Sequence, residues 1–322
     1  MDWLLASLGL VILLLAGDSL VRGAVNLALR VGIPALVVSL TIVAFGTSAP
    51  ELLIAIKAVM ENAPDIAMGN VVGSNTANIL MVLGFPALLA AMHTSECDSR
   101  KNYIYMIASS LLFIALAFRG VFDFWAGLVL LAALAAVLTD SFLHARNHRR
   151  ETRAAEAALE DEALEELEGA DPELPWWKII VFLALGLVGL PLGADILVDS
   201  AVNIAREFGV TETVIGLTLV ALGTSLPELA TTVMAALRRQ ADVALGNVIG
   251  SNMFNLLAII GITALLGDIP VDGQFLQFDL WVMLGASLLL VPFVFFKRDI
   301  TRGWGVLLTG LYLAYLAIVV MA

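Results

Sequence analysis

Ten apolar stretches of membrane-spanning length recur along this chain, and no other feature restricts its fold so severely. A bilayer core takes about 20 apolar residues as a helix. Within it every backbone N–H and C=O must be satisfied inside the protein, which leaves only helices or a closed barrel. Runs of this length predict helices, at roughly 3–20, 33–60, 66–92, 103–118 and 121–141, then 177–197, 211–237, 243–267, 280–296 and 304–321. Composition agrees, with 60% hydrophobic and only 14% charged residues. The first run is taken as a helix rather than a secretory signal, because Met1-Asp2-Trp3 lacks a positive start and no clean cleavage site follows.

The formal charge of −12 is concentrated in one place: residues 151–173 hold ten acidic residues and one basic one, Arg153. With Gly169–Pro175 as punctuation, this stretch reads as a solvated connector between two membrane halves. The expected organisation is a first unit at 1–142, an acidic linker at 143–175 and a second unit at 176–322. A single cysteine, Cys97, allows no intramolecular disulfide. His93, His144 and His148 fall in predicted loops and read as solvated.

The two units descend from one. Thr41–Leu52 returns as Thr218–Leu229 with nine of twelve residues identical, and Gly69–Leu80 returns as Gly246–Leu257 with eight of twelve. Both pairs are offset by 177, which also aligns Asp18 with Asp195 and Asn26 with Asn203. Five predicted spans per half is an odd number, so the halves lie in opposite senses in the membrane. Placing the N-terminus outside puts fourteen of the seventeen Lys and Arg residues on the cytoplasmic side, as basic residues prefer.

Glu51 and Glu228 stand in otherwise apolar spans, where a carboxylate costs at least about 2.5 kcal/mol unless compensated. Neither motif contains a Lys or Arg to pair with it, so a cation or a proton is the expected partner. Each Glu follows a proline, Pro50 or Pro227, which frees the carbonyl four residues back, at Gly46 or Gly223. Broken helices at membrane depth are tolerated where they line a site. Thr47 and Thr224 share a helix face with the carboxylates. In the next span Asn70, Ser74 and Asn78 repeat every four residues, matched by Asn247, Ser251 and Asn255. These stripes also read as helix glue, since Gly69/Gly73 and Gly246/Gly250 are GxxxG pairs. The donors are almost all oxygens, which suits hard cations. Ca²⁺ accepts 6–8 of them in flexible geometry, whereas Mg²⁺ demands a tight octahedron.

At these residues the sequence resembles the cation/Ca²⁺ exchanger superfamily, of the sodium/calcium exchanger type in its compact prokaryotic form. The resemblance implies an all-α integral membrane protein with ten transmembrane helices in two inverted five-helix repeats, broken at an ion site between the second, third, seventh and eighth helices. Carried over, Glu51 and Glu228 would be the central Ca²⁺ ligands, beside the carbonyls of Thr47 and Thr224. Ser48, Ser74, Asn78, Ser225 and Ser251 would complete the Na⁺ sites, with the carbonyls of Ala44 and Ala221. Asn255 occupies a position where several relatives carry Asp, and so removes a charge.

The resulting expectation is a secondary antiporter exchanging Na⁺ for Ca²⁺ by alternating access, with a Ca²⁺/H⁺ antiporter on the same fold as the alternative. A passive cation channel fits an asymmetric pair of halves poorly. No HExxH or GxSxG motif suggests an enzyme. The expected partners are Ca²⁺, Na⁺ and the lipid bilayer, with no cofactor and no nucleic acid. The expected location is the inner (plasma) membrane of a prokaryote, multi-pass, with both termini outside and the linker cytoplasmic.

Overall fold

The computed structural model describes residues 1–156, 171, 174–209 and 221–321, and these are helical nearly throughout. In chain order the helices are α1 (Asp2–Val31), α2 (Ala35–Thr47), α3 (Ala49–Met60), α4 (Pro64–Leu89), α5 (Arg100–Ala117), α6 (Phe124–Glu156), α7 (Trp176–Glu207), α8 (Leu226–Leu237), α9 (Ala241–Ala264), α10 (Phe275–Phe295) and α11 (Arg302–Met321). One further turn, Ala221–Gly223, precedes α8. Among the described residues seven helices are long and apolar enough to cross a bilayer, and α2 with α3 makes an eighth span bent by 43°. The other two are α5, whose first turn is polar, and α8, which follows the undescribed residues 210–220. An all-α membrane fold of ten spans is consistent with this set.

Helices equivalent under the 177-residue offset run in opposite directions. α7 is the counterpart of α1, and the two pack through glycines. A Cβ on Gly9 would stand 2.7 Å from the Leu197 nitrogen, one on Gly193 2.9 Å from the Leu13 nitrogen, and one on Gly23 2.9 Å from the Leu183 nitrogen. The partner number falls as the residue number rises, which is antiparallel packing. The repeat is therefore inverted.

Two short backbone clasps agree with that topology. Val121–Phe122 pairs antiparallel with Ile269–Pro270, while Met92 bridges Ile300. Each joins loops that five spans per half place on the same face. Arg30, His93, Arg238 and Arg298 belong to one face, called basic below; Glu61, Asp123, Asp268 and Asp272 belong to the opposite, acidic face. His93 is not simply solvated, because its Nδ1 lies 3.0 Å from Asp299 Oδ2 and so strengthens the basic-face clasp.

The signature helices are innermost. All of the apolar window of α9 is buried and 78% of that of α4, against 17–39% for the other single spans, whose apolar sides are left for lipid. Gly246 and Gly250 let α9 press on α2: a Cβ on Gly250 would meet the Leu40 carbonyl oxygen at 2.5 Å. Gly69 and Gly73 make no such approach among the described residues.

Three helix ends differ from the expected spans, one of them that of α7, which continues to Glu207 rather than ending near 197. α1 continues to Val31 rather than ending near 20; along it Asp18, Arg22 and Asn26 lie one turn apart, with Arg22 Nε 3.0 Å from Asp18 Oδ2 and Asn26 Nδ2 donating to the Arg22 carbonyl. α6 runs on to Glu156, past the expected unit boundary at 142, while residues 157–170 of the linker lie outside the described residues.

Gly186 would set its Cβ 2.5 Å from that of Leu20, so Gly186→Val should lower stability by about 1–3 kcal/mol through overpacking. Gly310 on α11 has nothing within 4 Å among the described residues, and Gly310→Ala should leave the melting temperature unchanged or slightly raised. Thermal unfolding in detergent checks both.

Candidate functional site

The second span of each half breaks at a serine. Ser48, with φ −86° and ψ 6°, separates α2 from α3, and Ser225, with φ −88° and ψ 2°, precedes α8. Pro50 and Pro227 fall within the first two positions of the helices that restart, where a missing N–H costs nothing. Glu51 and Glu228 consequently occupy the first turn of a helix that begins deep in the protein. The free N–H groups and positive dipole end there favour a carboxylate. Sequence reasoning found the break through freed carbonyls; the new helix N-terminus beneath each Glu is its other half.

The carbonyl of Ala44 is engaged rather than bare: it accepts from the Ser48 N–H at 3.0 Å and lies 3.2 Å from Thr47 Oγ1. In the second half the Ser225 N–H turns instead to Leu222, three residues back, at 3.1 Å. Ala221 opens the short turn before it.

Glu51 and Glu228 are both about 1% exposed. Around Glu228 the two halves meet directly. Ser48 Oγ donates to Glu228 Oε1 at 3.1 Å across the interface, and Ser251 Oγ donates to the same oxygen at 3.4 Å. Thr47 Oγ1 lies 3.4 Å from Ser251 Oγ and 3.3 Å from Asn247 Oδ1.

Two asparagines hold these turns in place. Asn70 Nδ2 donates to the Glu51 carbonyl at 3.4 Å, and its Oδ1 accepts from Thr224 Oγ1 of the other half at 3.4 Å. Asn247 mirrors it, with Nδ2 to the Glu228 carbonyl at 3.3 Å and Oδ1 near Thr47. Each therefore ties the Glu turn of its own half to the Thr of the opposite half. The four-residue stripe contained both residues, yet nothing in that spacing told a positioning amide from a ligand.

A second pair lies where the halves cross. Asn75 Nδ2 donates to the Asn252 carbonyl at 3.2 Å, and Asn252 Nδ2 returns a bond to the Asn75 carbonyl at 3.3 Å. Asn78 Nδ2 also reaches Asn252 Oδ1, at 3.0 Å. π-helical turns at Asn78–Val82 and Phe254–Ile259 put Asn78 and Asn255 in widened segments. Such turns recur at functional sites, and the sequence did not announce them.

Among the described residues several buried oxygens here have no hydrogen-bond partner: Glu51 Oε2, Glu228 Oε2, Asn78 Oδ1, Ser225 Oγ and Asn255 Oδ1. Buried polar atoms are nearly always satisfied. Orphans drawn from both halves, two of them carboxylate oxygens, are what a desolvated cation would complete. Ser74 is buried on α4. Among the described residues no His or Cys joins the cluster, and its candidate ligand atoms are oxygens.

Comparison with known proteins gives a consistent result. The family model for the sodium/calcium exchanger protein matches residues 1–142 and 178–321. The chain is 34% identical to sodium/calcium exchanger MaX1 of Methanosarcina acetivorans over 342 residues, covering 98% of each chain. It is also 34% identical to inner membrane protein YrbG of Escherichia coli over 310 residues, covering 96% of this chain and 94% of that one. Among solved structures, the sodium-calcium exchanger NCX_Mj soaked with zero Na⁺ and Ca²⁺ superposes with a TM-score of 0.81 at 30% identity, covering 99% of this chain and 98% of that one.

Asn247→Leu removes bonds to the Glu228 carbonyl, Thr232 and Thr47 together, leaving buried polar atoms unpaired. It should destabilise the protein by about 2 kcal/mol or more. Ser7→Ala, which loses one exposed bond, is the control and should shift the melting temperature little.

Proposed function

The chain belongs to the sodium/calcium exchanger protein family, and on that premise we propose that it is an antiporter exchanging Na⁺ for Ca²⁺ by alternating access, with Glu51 and Glu228 as the central ligands. It is a transporter and not an enzyme. The observation that carries the ligand assignment is the set of unpartnered buried oxygens contributed by both halves.

Two ionised carboxylates balance one Ca²⁺. The carbonyls of Thr47 and Thr224 flank them and bring the oxygen count towards the 6–8 that Ca²⁺ takes. Ser48, Ser74, Asn78, Ser225, Ser251 and Asn255, with the carbonyls of Ala44 and Ala221, supply places for Na⁺. Ser48 and Ser251 point hydroxyl protons at Glu228 Oε1, and rotation of either would turn a lone pair to an ion instead. Because the Glu pair belongs to both ion sets, the sets compete. Without a cation, the closed intermediate would carry two facing charges away from water, which suppresses an empty return and couples the flows.

The same reading places two five-helix repeats, 1–142 and 176–322, in the inner (plasma) membrane of a prokaryote. Both termini lie outside, and the acidic linker 143–175 joins the repeats on the cytoplasmic side. The skew of Lys and Arg to the basic face supports that orientation.

Radiolabelled Ca²⁺ uptake into proteoliposomes loaded with Na⁺, with choline, or with a pH gradient alone tests the coupling. Uptake is expected only with internal Na⁺, falling at least about 100-fold in Glu51→Gln and Glu228→Gln, since truncating a buried charged ligand costs about 3–5 kcal/mol. Uptake driven by the pH gradient without Na⁺ would instead assign the protein to Ca²⁺/H⁺ exchange. Flux that needs no counter-ion would make it a channel.

A further inference from the structure

Asp18 lies midway along α1 and serves two arginines. Arg22 Nε is 3.0 Å from its Oδ2 one turn further on, and Arg238, just beyond the end of α8, donates to its Oδ1. The Asp18 and Arg238 side chains are only 18% and 16% exposed. The pair forms where α1 crosses α8 most closely: a Cβ on Gly17 would stand 2.9 Å from the Ala230 carbonyl oxygen, two residues beyond Glu228. The contact thus fastens α1, on the basic-face side, to the helix that carries a central carboxylate.

The inverted repeat gives this contact a counterpart towards the acidic face, and its chemistry is reversed. The offset of 177 carries Asp18 to Asp195, Arg22 to Asp199 and Arg238 to Glu61. One carboxylate with two guanidiniums becomes three carboxylates. The packing is reversed as well. Asp195, Asp199 and Glu61 are exposed, and among the described residues their only ion pair is Glu61 with Lys57 at 3.9 Å. The counterpart of Ala230, 6% exposed, is Leu53, which is 68% exposed.

We propose that Asp18 and Arg238 are positioning residues for exchange, a one-sided latch that holds the basic face closed. The acidic trio denies the acidic face an equivalent latch, so the ion-free protein rests open towards the acidic face. The inference builds on the alternating-access reading. In an inverted repeat the two access states interchange the arrangements of the halves. The opposite state therefore brings α7 onto α3 and Asp195 towards Glu61, like charges with no guanidinium between them. The latch sets the balance between states without touching the transported ions.

The test uses the full chain with Cys97→Ser and a Leu53→Cys reporter, labelled in ion-free buffer by a membrane-impermeant maleimide applied to the acidic face. Arg238→Gln should slow labelling at least twofold, and Arg238→Lys should restore most of the rate. Glu61→Arg supplies the missing guanidinium beside Asp195 and should slow labelling about tenfold, if one latch shifts the equilibrium by that factor. Unchanged labelling in Glu61→Arg would overturn the proposal, as would a Lys variant as slow as Gln. Glu61 is exposed, so its variant carries the test even where Arg238→Gln fails to fold. Labelling needs no flux; a parent that fails to exchange Na⁺ for Ca²⁺ would sink the exchange reading separately.

Discussion

Two carboxylates buried in the middle of a membrane protein, with no basic side chain in their motifs, set the terms for everything around them. A lone carboxylate there is costly and a facing pair more so. The chain meets the cost locally. It breaks a span at Ser48 and again at Ser225, restarts each helix on a proline, and sets Glu51 and Glu228 in the first turn, where unpaired N–H groups await an anion. What remains is left to hydroxyls and amides from the opposite half, and to an ion. The signature motif is the minimum chemistry that lets a Glu stand there.

That arrangement needs two halves held in register. The reciprocal bonds between Asn75 and Asn252, and the mirrored roles of Asn70 and Asn247, are the interface written in hydrogen bonds. Neither half holds its own Glu turn without contact to the other's threonine. Away from this centre the symmetry relaxes. The close crossing of α1 with α8 lacks a tight equivalent between α7 and α3, and the charges that guard the two crossings are opposite in sign. On the latch reading, the symmetric site serves both sides and the unlike crossings set which side is open.

Much of this was legible in the sequence because membrane burial removes alternatives. Span length pointed to the fold class, an odd number of spans per repeat to the inversion, and an apolar run with a Glu inside it to the candidate site. The details that escaped have physical reasons. The end of α1 is hard to place because Asp18, Arg22 and Asn26 look like a helix end, whereas the helix carries all three on to Val31. Asn70 and Asn247 were indistinguishable from ligands, since period four gives a shared face but not an atom's partner. The π-helical turns at Asn78 and Asn255 leave no compositional trace, and Arg238 gains its meaning only from Asp18, 220 residues away.

The central claim is that one divalent cation is held by both carboxylates at once, in competition with Na⁺. Titrating Ca²⁺ into purified protein by calorimetry, with and without Na⁺, tests it most directly. The account predicts one Ca²⁺ per chain, displaced by Na⁺ with a steepness above first order, and no heat of binding in either Glu51→Gln or Glu228→Gln. Ca²⁺ binding that survives loss of one carboxylate at full affinity, or that is indifferent to Na⁺, would contradict it.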